Sequence, residues 1–253
     1  MYYVEVLYAR SRLLWFTAIA LVVAAIFVYF VTFPPPHAHI VNNGQDVQIN
    51  FVLAFGSFWA AIMASILGAT LNRDGSHLPY MWTKPIARER IALSYMVIDV
   101  LTIVASFVVV VGICAIVLAI PPLNHIKHDE MTGLVIARSL AAPLMLYGMI
   151  EVTTSWLPTR LSAAGGLIWP IGLGIEFLAS INLPLPLSKI FFAINIFNPI
   201  AYLSSVHGHG SQSAQVASDS PLPFDFVGQT ELAFCIFALS CALAIYNWKR
   251  MQS

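Results

Sequence analysis

The sequence predicts an all-α membrane protein: six transmembrane helices in a single domain, residues 1–253. Both termini are cytoplasmic, an interfacial helix opens the chain, and a re-entrant outer hairpin lies between spans five and six. Three observations carry this. The chain is 59% hydrophobic and only 9% charged, where a soluble domain carries about 25% charged residues. A soluble core of this size has no room for so much apolar surface. The apolar residues fall in runs of roughly 20, the length that crosses about 30 Å of hydrocarbon. The twelve Lys and Arg residues fall mainly in alternate connections. The formal net charge is zero, which leaves no electrostatic footing for nucleic acid.

The chain opens with "MYYVEVLYARSRLLWF". Tyr2, Tyr3, Tyr8 and Trp15, mixed with Glu5, Arg10 and Arg12, suit either a helix in the headgroup layer or an ordinary span flank. The first span is Leu13–Phe33, closed by Pro34–Pro36. Its apolar stretch is too long for a signal peptide, and no small-residue cleavage site follows, so it reads as an uncleaved span. The second is Ile49–Leu71. The third is Ile91–Ile120, an amphipathic lead-in followed by the apolar run from Val100, and it stops at Pro121–Pro122. The fourth is Leu134–Trp156, the fifth Leu161–Ile181 and the sixth Phe226–Trp248. Leu183–Leu203 is apolar enough to cross but holds Pro184, Pro186, Lys189, Asn195, Asn198 and Pro199. A seventh crossing would carry the basic tail outside. A re-entrant or interfacial outer hairpin, packed against protein, keeps the charge pattern. The Gly/Ser-rich stretch that follows reads as a polar loop.

Orientation follows from the basic residues. With the N-terminus inside, Arg10, Arg12, Arg73, Lys84, Arg88, Arg90, Arg160, Lys249 and Arg250 all face the cytoplasm. Lys127 and Lys189 lie in outer loops, and Arg138 lies near the outer end of the fourth span.

The connection between the second and third spans, residues 72–90, reads "NRDGSHLPYMWTKPIARER". Asp74-Gly75-Ser76 is turn and N-cap chemistry. Pro79 fits the first turn of a short helix. Leu78, Met81 and Trp82 then share one helical face. Pro85 ends that helix and opens the next, which carries Arg88 and Arg90 into the third span. The apolar face suits the membrane surface and a cytoplasmic protein partner equally.

This segment resembles the first cytoplasmic loop of type-2, exporter-type ABC transporter permeases. The match runs through Arg73-Asp74-Gly75-Ser76, then Leu78 to Trp82, then Thr83-Lys84-Pro85-Ile86-Ala87-Arg88. The six spans, the interfacial N-terminal segment, the outer connection containing "FNPIAYL" and the basic tail "NWKRMQS" agree with that layout. The resemblance implies that Arg73, Asp74, Gly75, Ser76, Leu78, Met81, Trp82, Lys84, Pro85 and Arg88 form a coupling helix and its flanks, seated in a groove of a separate ATPase subunit. It implies two ATPase copies and a second copy of this permease or a related one, in a plasma (bacterial inner) membrane. ATP and Mg would be bound by the ATPase. This chain carries no G-x-x-x-x-G-K-[S/T] phosphate loop of its own and would need no cofactor.

Five ionisable residues lie close to hydrocarbon, toward span ends. Either they reach into the interface, or they pair. Arg138, Glu176 and Glu231 on the outer side are then a candidate gate. Asp99 and Glu151 on the inner side, near Arg88 and Arg160, are a candidate brace for the coupling region. The histidine pairs His37/His39, His125/His128 and His207/His209 lie on outer loops, and a metal site needs three or four converging ligands, so no metal is expected. Cys114, Cys235 and Cys241 lie in apolar runs with no metal spacing. Gly56, Gly68, Gly165, Gly166, Gly172 and Gly174 permit close helix approach.

The expected function is therefore that of a non-catalytic permease subunit. Two alternatives stand beside it. One is a non-transporting membrane scaffold on the same fold. The other is an intramembrane enzyme, for which no Ser–His arrangement, aspartate pair or H-E-x-x-H is present within the spans. Substrate identity leaves no mark in the spans.

Overall fold

The computed structural model describes residues 11, 13–23, 47–73, 88–119, 126–127, 132–156, 167–180, 186–204 and 226–250. These are helical almost throughout. Helix α1 is Leu13–Val23. The others are α2 (Ile49–Arg73), α3 (Arg88–Ala119), α4 (Thr132–Trp156), α5 (Ile168–Ser180), α6 (Leu187–Asn195), α7 (Pro199–Ser204) and α8 (Phe226–Arg250). A two-residue parallel pairing joins β1 (Val47–Gln48) to β2 (Ile126–Lys127), with Val47 opposite Ile126 and Gln48 opposite Lys127.

Four helices are long and apolar enough to cross a membrane, over Val52–Ala69, Ala92–Ile116, Gly133–Trp156 and Val227–Arg250. They suit a multi-pass membrane protein. The third stretch of the chain makes the physical point. It is dense in Val and Ile, which weaken helices in water, yet α3 runs unbroken for 32 residues. In hydrocarbon a backbone must satisfy its own polar groups, and a helix does so within one segment. Large apolar side chains such as Leu101, Val108, Ile116 and Leu239 are exposed on the outer faces.

The helices have a definite sense. Gly68 of α2 lies against Ile150 of α4, and Asn247 of α8 donates to the Ser155 hydroxyl of α4 at 3.1 Å. Near the other end of α4, Arg138 bonds Gln229 of α8. So α2, α4 and α8 run parallel. Helix α3 runs against them: Gly56 of α2 meets Phe107 and Val111, and Ala92 packs with Trp248. One end of the bundle thus gathers Arg73, Arg88, Trp156 and Arg250. The other gathers the starts of α2, α4 and α8 with the β1–β2 pairing. Helix α4 is the spine. Its small or flexible residues Ala141, Ala142, Met145 and Leu146 are fully buried, in one core with Ala61, Ala233 and Ile236. Pro143 inside it is tolerated, as proline is in helices supported by neighbours. A second core joins α2, α3 and α4 through Leu53, Met63, Leu67, Ile103, Phe107 and Tyr147. Helix α1 packs on α2 and α3 through Phe16 and Ala20, with Phe16 edge-on to Trp59 at 6.1 Å.

Several boundaries differ from the sequence expectation. Helix α3 takes in Arg88 and Arg90, the lead-in expected to run into the span that begins at Ile91, so Asp99 lies about three turns inside it, at 3.6 residues per turn. The fifth expected span holds helix over Ile168–Ser180, 13 residues or about 20 Å, and its residues 161–166 lie outside the described residues. Of the first expected span, 24–33 lie outside them too. The segment expected as a hairpin is two short helices of 9 and 6 residues, each too short to cross. The first, α6, exposes Ile190 and Ile194, whereas Ile200, Ala201, Tyr202 and Leu203 of α7 are buried against α4 and α8.

Candidate functional site

Two polar clusters sit on the spine helix, one toward each end, with the apolar Ala141–Leu146 belt between them. From Arg138 to Glu151 is about 20 Å along α4. The first is built around Arg138, which has no exposed surface. Its Nη2 donates to Gln229 Oε1 at 2.8 Å. Since Arg offers only donors, Gln229 must present its oxygen here. The guanidinium also lies over the Tyr202 ring, 4.7 Å from the centroid. A buried cation is tolerated where acceptors and an aromatic face replace its water. The arrangement ties α4, α7 and α8 together.

The break that delivers Tyr202 is held by its own side chains. Asn198 Nδ2 donates to the Gly172 carbonyl and to Asn195 Oδ1, both at 2.8 Å. Its Oδ1 accepts from the Ile200 N–H at 3.2 Å. The Tyr202 hydroxyl donates to the Ile196 carbonyl at 2.8 Å. Gly172 permits this, because a Cβ there would stand 2.6 Å from Ile200 and 2.7 Å from Asn198. Backbone groups freed where α6 stops are thereby satisfied inside the protein.

The second cluster joins α3 to α4. The Tyr147 hydroxyl donates to Asp99 Oδ2 at 3.1 Å. Glu151 follows Tyr147 by four residues, on the same helical face. It has no exposed surface, and neither of its carboxyl oxygens has a hydrogen-bond partner among the described residues. Cys241 of α8 is a further ionisable neighbour of Glu151. One turn on, Thr154 reaches across to the Gly68 carbonyl of α2 at 3.3 Å, and Ser155 accepts from Asn247.

Three of the five charges expected at span ends are thus buried against protein: Arg138, Glu151 and Asp99. Reaching into the interface is not open to them, because their helix faces are turned toward neighbouring helices. Glu231 is exposed, and Glu176 is half-buried on α5. Glu231 follows Gln229 by two residues, about 200° around the helix, so the polar group that α8 turns to Arg138 is Gln229. Asp99 and Glu151, the pair expected on the inner side, are brought together, with Tyr147 between them. Arg73 ends α2 and Arg88 opens α3. Asp74, Gly75, Ser76, Leu78, Met81, Trp82, Lys84, Pro85 and Arg160 lie outside the described residues, as do the paired histidines. Among the described residues no three His, Cys, Asp or Glu side chains converge as metal ligands. Sequence reasoning passed over Tyr147, Gln229 and Tyr202. Only Tyr147 left a signal, its i, i+4 spacing to Glu151.

No family model matches the chain, and neither does any curated protein or solved structure.

Proposed function

We propose that this chain is the transmembrane permease subunit of an ATP-driven ABC transporter of exporter type, coupled to a separate ATPase through residues 72–90. The observation that carries the reading is the packing of α2 against α3. Gly56 lies against Phe107 and Val111, and Leu53, Met63 and Leu67 share a core with Ile103 and Phe107. Two stiff helices therefore deliver the ends of the loop, Arg73 and Arg88, to one end of the bundle. A push on a segment held that way moves both helices, and a slack connection would absorb it. Lys249 and Arg250 close α8 at the same end, as the positive-inside rule asks of a cytoplasmic face.

In this reading α1 and α5 belong to the first and fifth of six spans, both termini are cytoplasmic, and α6–α7 is the re-entrant outer segment. Two such chains with two ATPases make the transporter. Nucleotide-driven closure of the ATPases presses the coupling segments together and rocks the spans. Arg138, Gln229 and Tyr202 then lie toward the outer face, and Asp99, Tyr147 and Glu151 toward the inner.

The test is purification of the tagged full chain from its native membrane. A polypeptide bearing a nucleotide phosphate loop is expected to come with it. Trp82→Glu and Met81→Glu are expected to lose that polypeptide while the chain keeps its thermal stability. Retention of the ATPase by both variants, or its absence from the unsubstituted complex, overturns the proposal.

A further inference from the structure

Ser57, Trp59 and Trp248 each bury a neutral polar atom without a hydrogen bond, whereas Glu151 buries an ionisable carboxyl group with neither oxygen bonded among the described residues. The hydroxyls of Thr102, Ser139 and Thr154 bond carbonyls one turn back along their own helices, and Arg138 has Gln229 and Tyr202. Glu151 has no exposed surface and no hydrogen-bond partner for either oxygen among the described residues. A carboxylate so placed has lost its hydration and gained nothing in exchange, which is strongly unfavourable. A carboxylic acid so placed has lost far less.

The surroundings point the same way from every side. Asp99 of α3 supplies a second acid, bound to Tyr147 at 3.1 Å. Tyr147 has one O–H to donate, and that bond goes to Asp99. Helix α8 contributes Cys241, a thiol, with Asn247 occupied by Ser155 one turn beyond. Helix α2 packs here through Leu67 and Gly68, and its single charged residue, Arg73, closes that helix. Two acids thus lie beside one phenolic O–H, which is given to Asp99.

We propose that Asp99, Tyr147 and Glu151 form a proton-binding site within the membrane helices, with Glu151 held as the neutral acid while the bundle is closed. The site is independent of the transporter reading above. Its consequence is thermodynamic. Any motion that parts α3 or α8 from α4 admits water to Glu151 and lets it ionise. Opening then releases a proton, and proton binding favours closure, by reciprocal linkage. Acids inside membrane helices serve such roles in proton relays.

The experiment uses the full chain in lipid nanodiscs at neutral pH. Infrared spectra are expected to contain a protonated-carboxyl carbonyl band that Glu151→Gln removes and Asp99→Asn only shifts. Stability is read alongside. A folded state holding one proton more than the unfolded chain loses stability as pH rises, so the unsubstituted protein is expected to melt lower at higher pH. Glu151→Gln, which keeps the shape without the proton, is expected to flatten that dependence. Two results overturn the site. One is a spectrum without the band, or with a band that Glu151→Gln leaves in place. The other is stabilisation by sodium or potassium that Glu151→Gln abolishes, which marks a carboxylate holding a metal cation.

Discussion

At the scale of single residues, burial rather than position along a span decides what a charge does. Arg138 and Glu231 both belong to the expected outer gate, yet one is fully buried and the other exposed. The residue that meets Arg138 is Gln229, 2.8 Å away. Gln229→Leu keeps the volume and removes the acceptor from a buried cation. It is expected to destabilise the protein by about 1.5–3 kcal/mol, read from unfolding in detergent. Glu231→Gln is expected to fall within about 0.5 kcal/mol of the parent. Double-mutant cycles sharpen the comparison. Arg138→Met with Gln229→Leu is expected to be strongly non-additive, and Arg138→Met with Glu231→Gln additive. The reverse pattern would restore the acid as the partner of Arg138.

At the scale of elements, close approach between helices explains the glycines unequally. A Cβ on Gly68 would lie 2.9 Å from Ile150, whereas one on Gly174 would meet nothing within 4 Å. Gly68→Val is expected to force α2 from α4 at a cost of about 1–3 kcal/mol. Gly174→Ala is expected to be neutral or to stabilise α5 by up to about 1 kcal/mol. Thermal unfolding of the pair checks both, and equal effects would mean that helix propensity and not packing governs these sites. The α6–α7 break rests on Asn198. Asn198→Leu removes the bonds to Gly172, Asn195 and Ile200 together. It is expected to release α7 from its buried seat, seen as faster protease cleavage between α6 and α8. Unchanged cleavage would assign the break to Pro199 alone.

At the scale of the whole molecule, three parallel helices and one antiparallel helix fix which connections share a side. In a background with Cys114, Cys235 and Cys241 replaced by Ala, Asp74→Cys and Ser253→Cys are expected to react with a membrane-impermeant thiol reagent from one side. Lys127→Cys is expected to react from the other. Labelling of positions 74 and 127 from the same side would refute the helix directions. Labelling of position 74 from outside the cell would leave the directions intact and remove the coupling proposal. The fold and the functional reading are thus separable in one experiment.

Composition and run length determined the class of protein and the course of its long helices. Lipid makes the helix the default for any apolar run of sufficient length, whatever its β-branched content. Ile49–Leu71, Leu134–Trp156 and Phe226–Trp248 were legible for that reason, and so was the proline-broken segment between the last two of them. The tertiary structure decided which way each helix faces. A soluble helix announces its buried face by periodic polar residues, whereas a helix apolar all round carries no such signal. Nothing in the order of residues could therefore say that Arg138 turns to Gln229, that Tyr147 reaches Asp99, or that Glu151 is sealed away from water.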